Sequence, residues 1–176
     1  MKPLTSRSKF LLAFILWLSL VAPAFAQPQV GGKTIGFITS TLDGKRIALK
    51  DYWEQQGKKV VILSFFATWC QPCKEDLKYL QKVQDQYGEK GLQVVAVLTQ
   101  DASKEAAVKE FMRKLGVNVP VLTDEYGIIG KRYAITYLPT NFMIGKDGIL
   151  KGRYFGYSED VKRHFEEQLK NLILNP

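Results

Sequence analysis

From Val60 to Phe66 every residue but Ser64 is apolar, and β-branched and aromatic side chains dominate the run. That predicts a strand buried on both faces. The period then changes: Cys73, Leu77, Leu80, Val83 and Tyr87 recur at helical spacing, Pro72 suits a first turn that needs no amide donor, and Gly88 and Gly91 punctuate the chain. Leu92 to Leu98 reads as a second buried strand, and Val108, Phe111, Met112 and Leu115 mark the core stripe of a second helix that ends at Gly116. The order β-α-β-α predicts an α/β domain.

Shorter elements flank this unit. Apolar and polar residues alternate from Ile35 to Leu49 around Asp43-Gly44, the pattern of a hairpin. Val119-Pro120-Val121-Leu122 reads as a short strand near its end or at a sheet edge, because proline cannot donate to the ladder. Glu125 to Tyr133 is a short helix interrupted by Gly127 and Gly130. Asn141–Ile144 and Ile149–Phe155 flank the turn-rich Gly145-Lys146-Asp147-Gly148 and form a second hairpin. A last helix starts near Glu159, capped by Ser158, with Val161, Phe165, Leu169 and Leu172 facing inward. No repeat or linker divides the chain, so residues 27–176 are expected to form one domain.

Residues 1–26 stand apart. Lys2, Arg7 and Lys9 precede the apolar run Phe10 to Val21, and Pro23 and Ala24-Phe25-Ala26 follow it, the three-part layout of a secretory signal peptide cleaved after Ala26. Such a run rises roughly 18 Å as a helix, short of the roughly 30 Å hydrocarbon core. An uncleaved anchor stretching over residues 4–26 is the alternative. Cleavage leaves 176 less 26, or 150, residues and lowers the net charge of +8 by three. The remaining charges alternate in sign, as in Lys74-Glu75-Asp76, and form no basic stripe, which argues against a nucleic-acid partner.

Composition changes the picture at one place. The two cysteines of the chain fall in Trp69-Cys70-Gln71-Pro72-Cys73, between the first buried strand and the first long helix. Two thiols in a Cys-x-x-Cys spacing read first as a redox pair. Cys70 sits at or before the helix N-terminus, where unpaired amides and the macrodipole favour an anion, so it is the expected nucleophile. Cys73, one turn on, is the expected resolving thiol. A zinc site would need soft ligands beyond His164, Met112 and Met143, and a structural disulfide closing so short a loop contributes little. No metal or cofactor is expected. The second informative segment is Tyr137-Leu138-Pro139-Thr140 before a strand; these residues alone leave the isomer of the Leu138–Pro139 bond open.

Leu42-Asp43-Gly44, Gly57-Lys58-Lys59-Val60-Val61, Phe65-Phe66-Ala67-Thr68-Trp69-Cys70-Gln71-Pro72-Cys73, and Leu138-Pro139-Thr140-Asn141-Phe142-Met143-Ile144 with Lys146-Asp147-Gly148 together resemble the TlpA/ResA-like branch of the thioredoxin fold. That branch includes exported thiol-disulfide proteins of cytochrome c maturation. The resemblance covers about residues 35–174. It implies a thioredoxin-like fold, a central mixed β-sheet flanked by helices with an N-terminal β-hairpin, and a cis Pro139 facing Cys70. It further implies that Trp69, Leu138 and Pro139 meet the substrate chain and that the Pro keeps metal ions off the thiols. The plain reading of Leu138 is a packing residue.

Departures from related patterns bear on mechanism. Cytoplasmic thioredoxins carry a buried Asp on the strand before the motif; Ser64 occupies that position here. Asp76 stands three residues after Cys73, where ResA-like proteins place an acid implicated in proton handling. Positions i and i+3 share a helix face, so Asp76 can take the Cys73 proton. The plain reading of Asp76, and of Glu75, is a first-turn acid stabilised by the helix dipole. Peroxiredoxins place Thr three residues before their reactive Cys, where this chain has Ala67. The chain is therefore expected to be an exported, monomeric thiol-disulfide oxidoreductase, periplasmic or extracytoplasmic. It would reduce a protein disulfide such as that of apocytochrome c and draw electrons from a membrane-bound thiol donor. A disulfide-forming oxidant and a redox-inactive peptide-binding module are the alternatives.

Overall fold

The computed structural model describes residues 27–54, 57–99 and 105–174. The expected signal segment lies outside them. Five strands form the central sheet: β3 (Val60–Phe66), β4 (Leu92–Leu98), β5 (Val121–Thr123), β6 (Thr140–Gly145) and β7 (Leu150–Phe155), in the order β5-β4-β3-β6-β7. Strand β3 pairs in parallel with β4 and antiparallel with β6; β5 joins β4 in parallel, and β7 closes the other edge antiparallel to β6. A separate antiparallel ribbon, β1 (Ile38–Ser40) and β2 (Arg46–Ala48), precedes the sheet. The sheet is mixed, with an N-terminal hairpin, as the resemblance implied.

Alternation along β3 divides the core. Val60, Ile62 and Phe66 point to the face covered by α1 (Gln71–Tyr87), α2 (Glu105–Leu115) and α4 (Glu159–Leu174), whose Leu77, Leu80, Val108, Met112, Phe165 and Leu169 pack there. Val61, Leu63 and Phe65 point to the other face, against Phe37, Leu49, Tyr52 and Tyr133. The rings of Phe65, Tyr133 and Phe142 meet at centroid distances of 5.0 to 5.7 Å, which packs the second face with aromatic edges. By the same alternation Ser64 belongs to the α1 face.

Two expectations change in detail. The inward stripe of α4 is Phe165, Leu169 and Ile173, spaced by four, while Val161 and Leu172 are half-buried. The i+4 spacing follows the drift of a 3.6-residue helix along the sheet better than the position chosen from apolarity. The short helix near Gly127 is α3 (Ile128–Arg132), and it begins later than Glu125 because Asp124, buried beside β5, accepts the amides of Ile129 and Gly130 at 2.9 and 2.7 Å. Pro120 lies just outside β5, an edge strand. Among the described residues no helix is long and apolar enough to cross a membrane.

Candidate active site

Strand β3 ends at Phe66, and the chain turns through Ala67–Cys70 into α1. Cys70 has extended backbone angles and is the N-cap; its Sγ accepts the amide of Cys73 at 3.2 Å. The helix opens Gln71-Pro72, and the proline costs no hydrogen bond there. Cys70 and Cys73 are joined, with S–S 2.01 Å and Cα–Cα 5.3 Å. Cys73 is fully buried and Cys70 is 5% exposed, so of the two cysteines Cys70 alone reaches solvent.

The third group lies one turn deeper. Asp76 is on the buried face of α1, 2% exposed, beneath the sheet. The Asn141 Nδ2 of β6 donates to both of its oxygens at 3.0 and 3.1 Å, and the Ser64 hydroxyl of β3 approaches Oδ2 at 3.4 Å. Burial pushes its carboxyl up to about 7, against the opposing pull of the Asn141 and Ser64 hydrogen bonds. A reading of Asp76 as a dipole-stabilised first-turn acid is thereby corrected: α1 starts at Gln71, both acids stand in the second turn, and burial raises the Asp76 carboxyl where a dipole would lower it. Glu75 stands off that face, exposed and paired with Lys78 at 3.1 Å.

The rim is built by two segments. The Leu138–Pro139 peptide is cis and Pro139 is buried at the entry to β6, its carbonyl accepting the amide of Gly156 at 2.8 Å. Leu138 is half-buried; it packs against both core clusters and lines a groove of about 690 Å³ together with Trp69, Cys70, Pro72, Lys131, Ile135 and Tyr137. Both readings of Leu138, packing and contact, are therefore compatible with its position. Trp69 is 73% exposed beside the disulfide, and Tyr137 is exposed across the groove. The segment before Leu138 is braced from β7: Arg153 Nη2 donates to the carbonyl of Ala134 at 2.7 Å and approaches that of Tyr133 at 3.4 Å, while its guanidinium lies over Phe155 at 4.6 Å.

Asn141 and Arg153 were not singled out from the sequence. For Asn141 a signal was present: a lone polar residue followed by Phe142-Met143-Ile144, in a strand that reads as buried, needs a partner. For Arg153 there was none, because an arginine in the last strand reads as solvated.

A Cys-x-x-Cys disulfide at a helix N-terminus beside a mixed sheet, with a cis-proline at the entry to β6, defines a thioredoxin-fold thiol-disulfide oxidoreductase. Residues 21–169 match the Redoxin family, and the chain belongs to it, on its ResA-like side. The thiol-disulfide oxidoreductase ResA of Bacillus thuringiensis subsp. konkukian (strain 97-27) is 37% identical over 145 residues, 82% of this chain and 79% of the relative. The thioredoxin-like protein YneN of Bacillus subtilis (strain 168) is 33% identical over 142 residues, 80% of this chain and 79% of the relative. Among solved structures, a putative thiol:disulfide interchange protein DsbE from Chlorobium tepidum superposes with a TM-score of 0.73 at 26% identity, over 84% of this chain and 99% of that one.

Proposed function

We propose that the protein is an exported reductant of a specific protein disulfide, that of an apocytochrome c before haem attachment, with residues 1–26 a cleaved signal and 27–176 the working domain. The observation that carries the chemistry is the carboxyl of Asp76, buried one helical turn from the buried Cys73 and held near neutrality. In the dithiol state the Cys70 thiolate, favoured by the Cys73 amide and the helix N-terminus, attacks one sulfur of the substrate disulfide. A Cys70–substrate bond forms, and the first substrate thiolate leaves. Cys73 then gives its proton to Asp76 and attacks Cys70 Sγ; the second substrate thiolate leaves and takes a proton, and the Cys70–Cys73 disulfide remains. Two electrons have passed to the substrate. A membrane-bound dithiol donor restores the pair in the reverse sense, and the domain acts as a monomer. Trp69 and Leu138 line the groove beside Cys70, with Pro139 next along the chain, and the substrate chain is proposed to approach there. The reductive direction follows from the resemblance, since haem attachment to cysteines needs them reduced.

Trapping tests this reading. Cys73→Ala leaves Cys70 able to attack and nothing to release it, so expression in the native host should yield a covalent adduct, on non-reducing gels, with an apocytochrome c. Adducts with many unrelated exported proteins would instead make the protein a general oxidant. Adducts with Cys70→Ala but none with Cys73→Ala would reverse the thiol roles.

A further inference from the structure

Among the described residues the polar contacts of the Asp76 carboxyl are an amide and a hydroxyl, both uncharged. Asn141, 3% exposed, turns its Nδ2 toward both oxygens of that carboxyl, and its Oδ1 is buried with no hydrogen-bond partner among the described residues. An orphaned buried amide oxygen is costly unless some state of the site uses it. The state that would use it is the protonated one. A carboxylic acid has an O–H to donate, and a carboxylate has none. The two ends of a side-chain amide are nearly equal in size, so turning the group over exchanges donor for acceptor without repacking.

We propose that Asn141 is the positioning residue of the proton step: its Nδ2 holds the Asp76 carboxylate before Cys73 is deprotonated, and the amide turns over so that Oδ1 accepts the Asp76 O–H afterwards. The inference rests on the assignment of Asp76 as proton acceptor. The proton passes from Cys73 Sγ to a carboxylate oxygen and no other bond changes. Ser64, the register partner of Asn141, has a rotatable hydroxyl that can donate to the carboxylate or accept from the acid. The charge of Asp76 reaches Tyr79 on α1, whose phenol donates to Glu166 of α4 at 3.1 Å; burial and Glu166 push Tyr79 upward, so it stays neutral while Asp76 titrates. The Asn141 bonds stabilise the charged form of Asp76, so they keep it an acceptor at a pH where burial alone would leave it protonated.

Carbon-13 NMR of the aspartate carboxyls in the disulfide form, where no thiol titrates, reads this directly. Asn141→Leu should raise the Asp76 midpoint by about one pH unit or more, a tenfold tighter hold on the proton. In the unsubstituted protein the Asn141 side-chain amide resonances should move with the Asp76 midpoint. If the leucine variant does not fold, Asn141→Val removes the same amide in a shape suited to a strand and is read the same way. The pH profile of mixed-disulfide resolution should shift upward with the carboxyl, approaching the unsubstituted rate at high pH, which a merely structural role would not produce. An unmoved Asp76 midpoint in the variant overturns the inference, whatever Asp76 does for Cys73. Failure of Asp76 as acceptor shows separately, as an unchanged Cys73 titration in Asp76→Asn.

Discussion

Ser64 and Asn141 stand directly opposite each other on adjacent strands, and both turn their polar side chains into the same apolar layer. Between them they receive a carboxyl delivered by α1 rather than by the strand. The strand position is thus a serine here, and the acid arrives beside it from the helix side.

Asp76→Asn should slow resolution of mixed disulfides and shift the titration of Cys73 with the fold intact. The amide keeps the size of the acid and can still bond Asn141, but it cannot take a proton. Rapid-mixing kinetics and thiol alkylation across pH check it; unchanged rates and titration would return Asp76 to a packing role.

The same substitution should stabilise the protein in alkali. The carboxyl is raised from 3.8 to about 7, so its neutral form is the one the native state prefers. Stability is fully present below pH 3.8, falls as the unfolded chain ionises, and is lost once pH passes about 7. At pH 8 the asparagine variant should gain on the order of 3–4 kcal/mol, and near pH 3 almost nothing. Urea unfolding at the two pH values measures the gap, and equal gains at both would contradict it.

Arg153→Met should loosen the groove rather than the chemistry. Ala134 has a positive φ of 50°, and Arg153 holds its carbonyl from below the rim. Losing that charge-assisted bond should cost about 1.5–3 kcal/mol and raise KM for a protein substrate while kcat changes little. Arg153→Lys should not rescue it fully, because a lysine cannot match the planar fork or its stacking on Phe155.

Gly91→Ala should be severely destabilising. Gly91 has φ 106°, and a Cβ there would lie 2.6 Å from the carbonyl oxygen of Gly57. The new Cβ meets a backbone oxygen, which cannot swing aside as a flexible side chain would; a loss of about 2 kcal/mol or more is expected, read as a lower urea midpoint at unchanged slope.

N-terminal sequencing of the exported protein should begin at Gln27. Small residues at Ala24 and Ala26 after a short apolar run set that expectation. A start at Met1 in the membrane fraction would mean an anchored enzyme.

The central strands, the long helices and the redox pair were legible in the chain itself. Each rests on local information: a continuous apolar run such as Val60–Phe66, a 3.6-residue stripe, two thiols flanking a proline at a helix start. The choice between Asp76 and Glu75 was not legible. Adjacent helix positions differ by about 100° in direction, and which one meets the sheet depends on how α1 docks. The isomer of the Leu138–Pro139 bond, the brace from Arg153 to Ala134 and the service of Asn141 to Asp76 belong to the same class. Asn141 and Asp76 are 65 positions apart. Local sequence carries residue type and period, but desolvation and hydrogen-bond pairing are properties of a shared interior, and only the assembled sheet and helix create it.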